Sequence, residues 1–315
     1  MKWNHILVAL LLVLTASHAA KAEETITPAM DCHAAYELVP HGSLLDLLDP
    51  DADHERRMQA LGHYQQLAAI KECPEFGYTL GLLYRHGPEL PGNLLPQDIP
   101  KAKELILAMA ESGYLTAYAD LAEMVMRHGD PREAMKWTQV YLYFVRNVQR
   151  ALMDPDQAQF NRSAYNGHLL NRAEIVWGWQ RPSVARKRVR EDLNAYIEVH
   201  GQKVSQLMRQ RMQLGTEDTF QRPERMPRAV RRANDCYLNP IGRHTAGTAS
   251  WIVEVLPSGQ TGRVLLENFV PTVAVANGLR VCLDKREFEP FDGENSAIVR
   301  IPLMYGSPEG ASLRR

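Results

Sequence analysis

The chain has 315 residues, 45% hydrophobic and 23% charged, a length for about two ordinary domains and the composition of a globular protein rather than a disordered one. Its 20 Gly and 19 Pro are too few for a collagen-like or low-complexity chain. A formal net charge of −1 gives no overall attraction for nucleic acid or an anionic membrane.

Met1–His5 carries Lys2 and no acid, Ile6–Ala16 is apolar, and Ala20-Lys21-Ala22 has the small-x-small pattern that signal peptidase cuts. Residues 1–22 are therefore expected to be a cleaved signal peptide, with the mature chain starting at Glu23. The apolar run falls short of the roughly 20 residues that span a bilayer; an uncleaved membrane anchor is the alternative. Four cysteines follow, Cys32, Cys73, Cys236 and Cys282. In a secreted chain they are disulfide candidates with three pairings open, and their positions favour Cys32–Cys73 and Cys236–Cys282.

Helical spacing begins soon after. Phe76, Leu80, Leu83 and Tyr84 form one stripe, and Ala102, Leu105, Ile106, Met109 and Ala110 a second. Tyr118, Leu121, Ala122 and Val125 form a third, and Ala134, Trp137, Tyr141, Phe144, Val145 and Val148 the longest. Pro131 suits a first helical position, and Gly87, Gly113 and Gly129 suit helix ends. Further helices are expected around Leu169–Trp177, Leu193–Ile197 and Val204–Met208. Gly77, Gly81, Ala117 and Ala122 are small enough to let helix pairs approach closely, and pairs that cannot bury their faces alone stack into a solenoid.

Leu80-Gly81-Leu82-Leu83-Tyr84-Arg85-His86-Gly87, followed by Asp98, Lys101 and Ala102, resembles the SEL-like repeat, a short relative of the tetratricopeptide repeat. A looser second copy runs from Ala117-Tyr118 to Ala134 and Trp137, so the resemblance covers about 65 residues. It implies a helical-repeat domain over residues 23–214 that binds peptides or other domains on a curved surface.

Charge changes along this part. Residues 23–180 carry a net −9 and residues 181–232 a net +7, the latter with only Tyr196 and Phe220 as aromatics. Base stacking on nucleic acid is therefore unsupported. Residues 215–250 hold Pro223, Pro227, Pro240, Gly242 and Gly247 and are expected to be a basic linker.

Trp251–Leu256 and Arg263–Glu267 are strand-like and flank the turn residues Pro257-Ser258-Gly259-Gln260, a hairpin signal. Pro271 can open a helix containing Leu279, Cys282 and Leu283. After the turn at Asp292-Gly293, Ala297–Leu303 reads as a last strand, and Pro302, lacking an N–H, puts it at a sheet edge. Val253, Val255 and Gly259, then Phe288-Glu289-Pro290 with Asp292-Gly293, then Arg300-Ile301-Pro302-Leu303, resemble the C-terminal domain of TonB, the energy transducer of Gram-negative bacteria. That resemblance implies a small ββαβ module over residues 251–305, an antiparallel three-stranded sheet with one helix, followed by a tail at 306–315. It also implies docking by strand addition along the last strand, with Ile298, Val299, Arg300, Ile301 and Leu303 as candidate binding residues.

No catalytic, cofactor-binding or metal-ligating residues are assigned. His54-Glu55 lacks the spacing of a zinc protease, and G-x-S-x-G, P-loop and G-x-G-x-x-G patterns are absent from the sequence. Asp46, Asp49, Asp51 and Asp53 read as a solvated capping turn, and His86 and His128 as residues at helix C-termini. The expected fold class is α+β: an all-α repeat solenoid followed by a small α+β domain. The expected function is a non-catalytic periplasmic adaptor for an envelope protein or peptide, with no cofactor and no nucleic acid, compatible with a homodimer. The alternatives are a TonB-type transducer serving outer-membrane receptors and a cell-envelope enzyme.

Overall fold

The computed structural model describes residues 26–149, 160–177, 183–214, 246–283, 286–293 and 295–306. The expected signal peptide, Cys236 with its pairing to Cys282, most of the expected linker and the tail beyond Gly306 lie outside these residues. The chain is α+β, mostly helical with one small antiparallel sheet. The helices are α1 (Cys32–Glu37), α2 (Ser43–Leu48), α3 (His54–Ala68), α4 (Pro74–His86), α5 (Ile99–Glu111), α6 (Leu115–His128), α7 (Pro131–Phe144), α8 (Phe160–Trp177), α9 (Ser183–Leu214) and α10 (Val273–Leu283). The strands are β1 (Ala246–Val255), β2 (Thr261–Val270) and β3 (Ala297–Gly306), ordered β2-β1-β3 with α10 between β2 and β3 in the chain.

Local chemistry sets the helix starts. Asp31, Asp53, Asp98 and Asp130 accept backbone N–H groups at the starts of α1, α3, α5 and α7, and Pro74 and Pro131 open α4 and α7. The acidic turn after α2 thus divides its work: Asp53 caps α3, while Asp46 and Asp49 receive Arg263 of β2 at 3.0 and 3.7 Å. Helices α4 to α7 pack in chain order, each on the next. Gly81 makes the α4–α5 contact: a Cβ there would lie 3.0 Å from Ile106 and 3.3 Å from the Ala102 carbonyl oxygen. Tyr118, Trp137, Phe144 and Tyr196 fill the core between α6, α7 and α9, and the Tyr118 and Tyr196 hydroxyls meet at 2.8 Å.

The sheet is covered on both faces. Gly247 has no room for a Cβ beside Val275 of α10, and Arg280 of α10 lies over the Trp251 ring. On the opposite face Arg300 lies over Tyr78 of α4. Burial on both sides is what the unbroken apolar run Trp251-Ile252-Val253 requires. One hydrophobic core therefore runs from Leu45, Tyr64 and Phe76 of α2–α4 through Trp251 and Ile301 to Leu279 of α10. The Cys32–Cys73 disulfide ties α1 to the start of α4 at the edge of this core.

β1 begins at Ala246, inside the stretch expected to be linker, because Ala246 and Gly247 pair with β3 and Thr248–Ser250 with both neighbours. Their small side chains carry little strand signal, and Gly247 is used where α10 presses closest. Helix α7 gives way to a single π turn at Val145–Gln149, shorter than the apolar stripe suggested.

Candidate functional site

The site grows from an irregularity in β2. Ser250 pairs with Asn268 while Trp251 pairs with Leu266, so Glu267 is an extra residue in β2, a β-bulge. The bulge turns two consecutive polar side chains, Glu267 and Asn268, toward the helices. Each becomes the centre of a buried polar cluster.

Glu267 meets Arg300 of β3 in a two-point ion pair, with Nε to Oε2 at 2.6 Å, and Thr79 of α4 joins both partners at 3.1 and 3.0 Å. Glu267 is fully buried and Arg300 is 3% exposed. Burial works against the Arg300 charge, and Glu267 outweighs it, so the guanidinium holds its proton more firmly than usual.

Asn268 links the second cluster. Its amide N–H donates to Asp120 Oδ1 at 2.8 Å, and the same carboxylate accepts Arg85 Nη1 at 2.8 Å and the Tyr78 hydroxyl at 2.7 Å. Because a carboxylate only accepts, the Asn268 carbonyl must face His86, and His86 Nε2 must be the donor across the 2.8 Å contact. The imidazole stacks on Phe269 with ring centres 4.1 Å apart. Burial, then the neighbouring Arg85 charge, pushes the His86 pKa down to about 3, so the ring is neutral at ordinary pH.

This cluster ends at a cleft of about 400 Å³ between α6, α8 and the end of β2. His86, Phe269 and Pro271 line it from the sheet side, with Met126, Arg127 and His128 from α6 and Arg172, Ile175 and Val176 from α8. Ile175 is 57% exposed and Val176 40%, so two large apolar side chains of adjacent positions stand in water at its mouth. Arg172 pairs with the buried Glu123, and Arg127 pairs with Glu89 at 2.7 Å on the surface. Among the described residues, no Ser, Thr or Cys lines the cleft, and no group of His, Cys, Asp or Glu could hold a metal ion. The arrangement is suited to holding a ligand by contact and charge. A second cleft, of about 430 Å³, lies between α7, α8 and α9 around Met135, Trp177 and Val189.

The sequence-derived binding residues sit elsewhere. Ile298, Val299, Arg300, Ile301 and Leu303 are all on β3, which is an outer strand of the three, and all five side chains are buried. Arg300 is committed to Glu267, and α8 packs against β3, so a helix of the same chain stands beside the edge expected to receive a partner. His86 and His128 do end helices, as expected, but His86 is a buried member of the cleft rather than a dipole partner. Its role had one sequence signal, the polar pair Glu267-Asn268 inside an apolar strand. Among the described residues, no helix is long and apolar enough to cross a membrane. No known protein family, curated protein or solved structure matches this chain.

Proposed function

We propose that the chain is a non-catalytic adaptor of the cell envelope, and that it takes a segment of an envelope protein or peptide into the cleft between α6, α8 and β2. The observation that carries this reading is Ile175 and Val176, exposed side by side at the mouth of a cleft whose rear wall is a hydrogen-bonded relay. Such a wall costs little to hold in place when a ligand arrives, which favours binding by a preformed site.

In this reading α4–α7 are SEL-like repeats stacked as a solenoid, and β1, β2, α10 and β3 are a TonB-like module that serves docking rather than energy transduction. The Cys32–Cys73 disulfide supports a periplasmic location, since such bonds persist in oxidising compartments. Strand addition along β3 remains a second reading, supported by its outer position in the sheet.

The test is a photo-reactive amino acid placed singly at Ile175, at Val176 and at Met58, an exposed residue of α3 away from the cleft lining. In living cells, Ile175 and Val176 are expected to give one discrete cross-linked product that Met58 does not. No product at the cleft positions, or the same products at all three, removes the proposal.

A further inference from the structure

We infer that the segment this cleft takes is acidic and apolar: a carboxylate set next to a bulky apolar side chain, on a partner other than this chain. The inference rests on the adaptor reading and specifies its ligand.

The charges facing the cleft are unequal in sign. Among the described residues that line it, Arg85, Arg127 and Arg172 stand against one acid, Glu123. Two of these cations are already neutralised inside the protein, Arg85 by Asp120 and Arg172 by Glu123. Arg127 differs. Its partner Glu89 does not line the cleft, and both members of that pair are close to half exposed. An ion pair in water is held only weakly, so its guanidinium, with five donors, can turn to or share a carboxylate brought by a ligand.

The histidines agree with this field. Burial and the arginine charges hold both His86 and His128 below the ordinary histidine pKa, so neither adds a cation nor needs an anion of its own. Cationic recognition therefore falls to Arg127, beside the apolar Met126, Ile175 and Val176. A basic segment would meet the like charge of Arg127. A purely apolar one would leave Arg127 no better partner than it has. A carboxylate adjacent to a leucine-sized side chain satisfies both halves of the cleft at once.

The experiment uses the full chain as bait for a phage-displayed library of random heptapeptides, with Ile175→Lys as the cleft-blocked control. Enriched sequences are expected to carry Asp or Glu next to Leu, Ile, Phe or Met. A synthetic peptide from that pool is expected to lose about tenfold in affinity for Arg127→Ala, and a similar amount when its acid is replaced by the amide. Both variants change exposed side chains, and thermal melts check that they fold. Enrichment without acidic bias, or acidic peptides whose affinity Arg127→Ala leaves unchanged, overturns the inference while leaving the adaptor reading intact. Peptides that bind Ile175→Lys as well as the parent overturn both. Sedimentation showing a dimer of the parent chain that Ile175→Lys dissolves would make a second copy the occupant, and would also overturn it.

Discussion

Two buried ion clusters sit on neighbouring residues of the same strand and end differently. Both are buried, and around Glu267 the hydrogen bonds close on one another, with Thr79 joined to both the carboxylate and Arg300. Around Asn268 the hydrogen bonds run outward, from Tyr78 and Arg85 through Asp120 to His86 at a cleft. One bulge supplies both. The comparison teaches that the same chemistry joins the sheet to the helices in one direction and stiffens the wall of a ligand site in the other.

The closed cluster should be the more costly to break. Glu267→Leu removes the buried carboxylate that Arg300 faces in a two-point ion pair, and urea denaturation should show a loss of about 3–5 kcal/mol. Glu267→Leu combined with Arg300→Met removes both charges and should cost less than the single change. A single-variant loss below about 1 kcal/mol would show that the cluster is not closed as described. Next comes the disulfide beside the same core. Replacing Cys32 and Cys73 by Ser frees a loop of 41 residues and should lower stability by about 2–4 kcal/mol in the same assay.

The open cluster should respond more mildly. Asp120→Asn keeps the shape and leaves an amide oxygen to accept from Arg85, and a loss of about 1–3 kcal/mol is expected. Acid should find this cluster through His86. The unfolded chain takes up a proton near pH 6.5, while the folded ring stays neutral down to about 3. The stability contributed by neutral His86 is therefore complete above pH 6.5 and is lost progressively as pH falls toward 3. His128, with its pKa also lowered, adds in the same direction, so the slope between pH 6.5 and 5 should shrink in His86→Gln without vanishing. An unchanged slope in that variant would contradict the assignment. Smallest of all is Ile175→Lys at the cleft mouth, expected to shift stability by no more than about 0.5 kcal/mol while abolishing the cross-link.

Much of the fold was legible because it obeys local rules. The stripe from Ala102 to Ala110 became the buried face of α5, and Pro131 opened α7. The turn at Pro257–Gln260 joined β1 to β2. Ala246–Ser250 escaped notice because small residues give no strand pattern, and their strand character comes from pairing with β3 and, from Thr248 on, with β2 as well. The TonB resemblance and Pro302 place Arg300 on a docking edge, whereas Glu267 across the sheet holds its guanidinium in the interior. The cleft was hidden for another reason. Its residues come from α4, α6, α8 and the end of β2, and no local spacing brings positions 86, 127, 175 and 271 together.

The most direct test of the cleft is hydrogen exchange on the full chain, with and without the cross-linked partner's segment supplied as a synthetic peptide. Slowed exchange concentrated at residues 123–128 and 172–177, with β3 unchanged, is the predicted result. Slowed exchange along residues 297–303, with α6 and α8 unaffected, would place the partner on the strand edge and contradict the account.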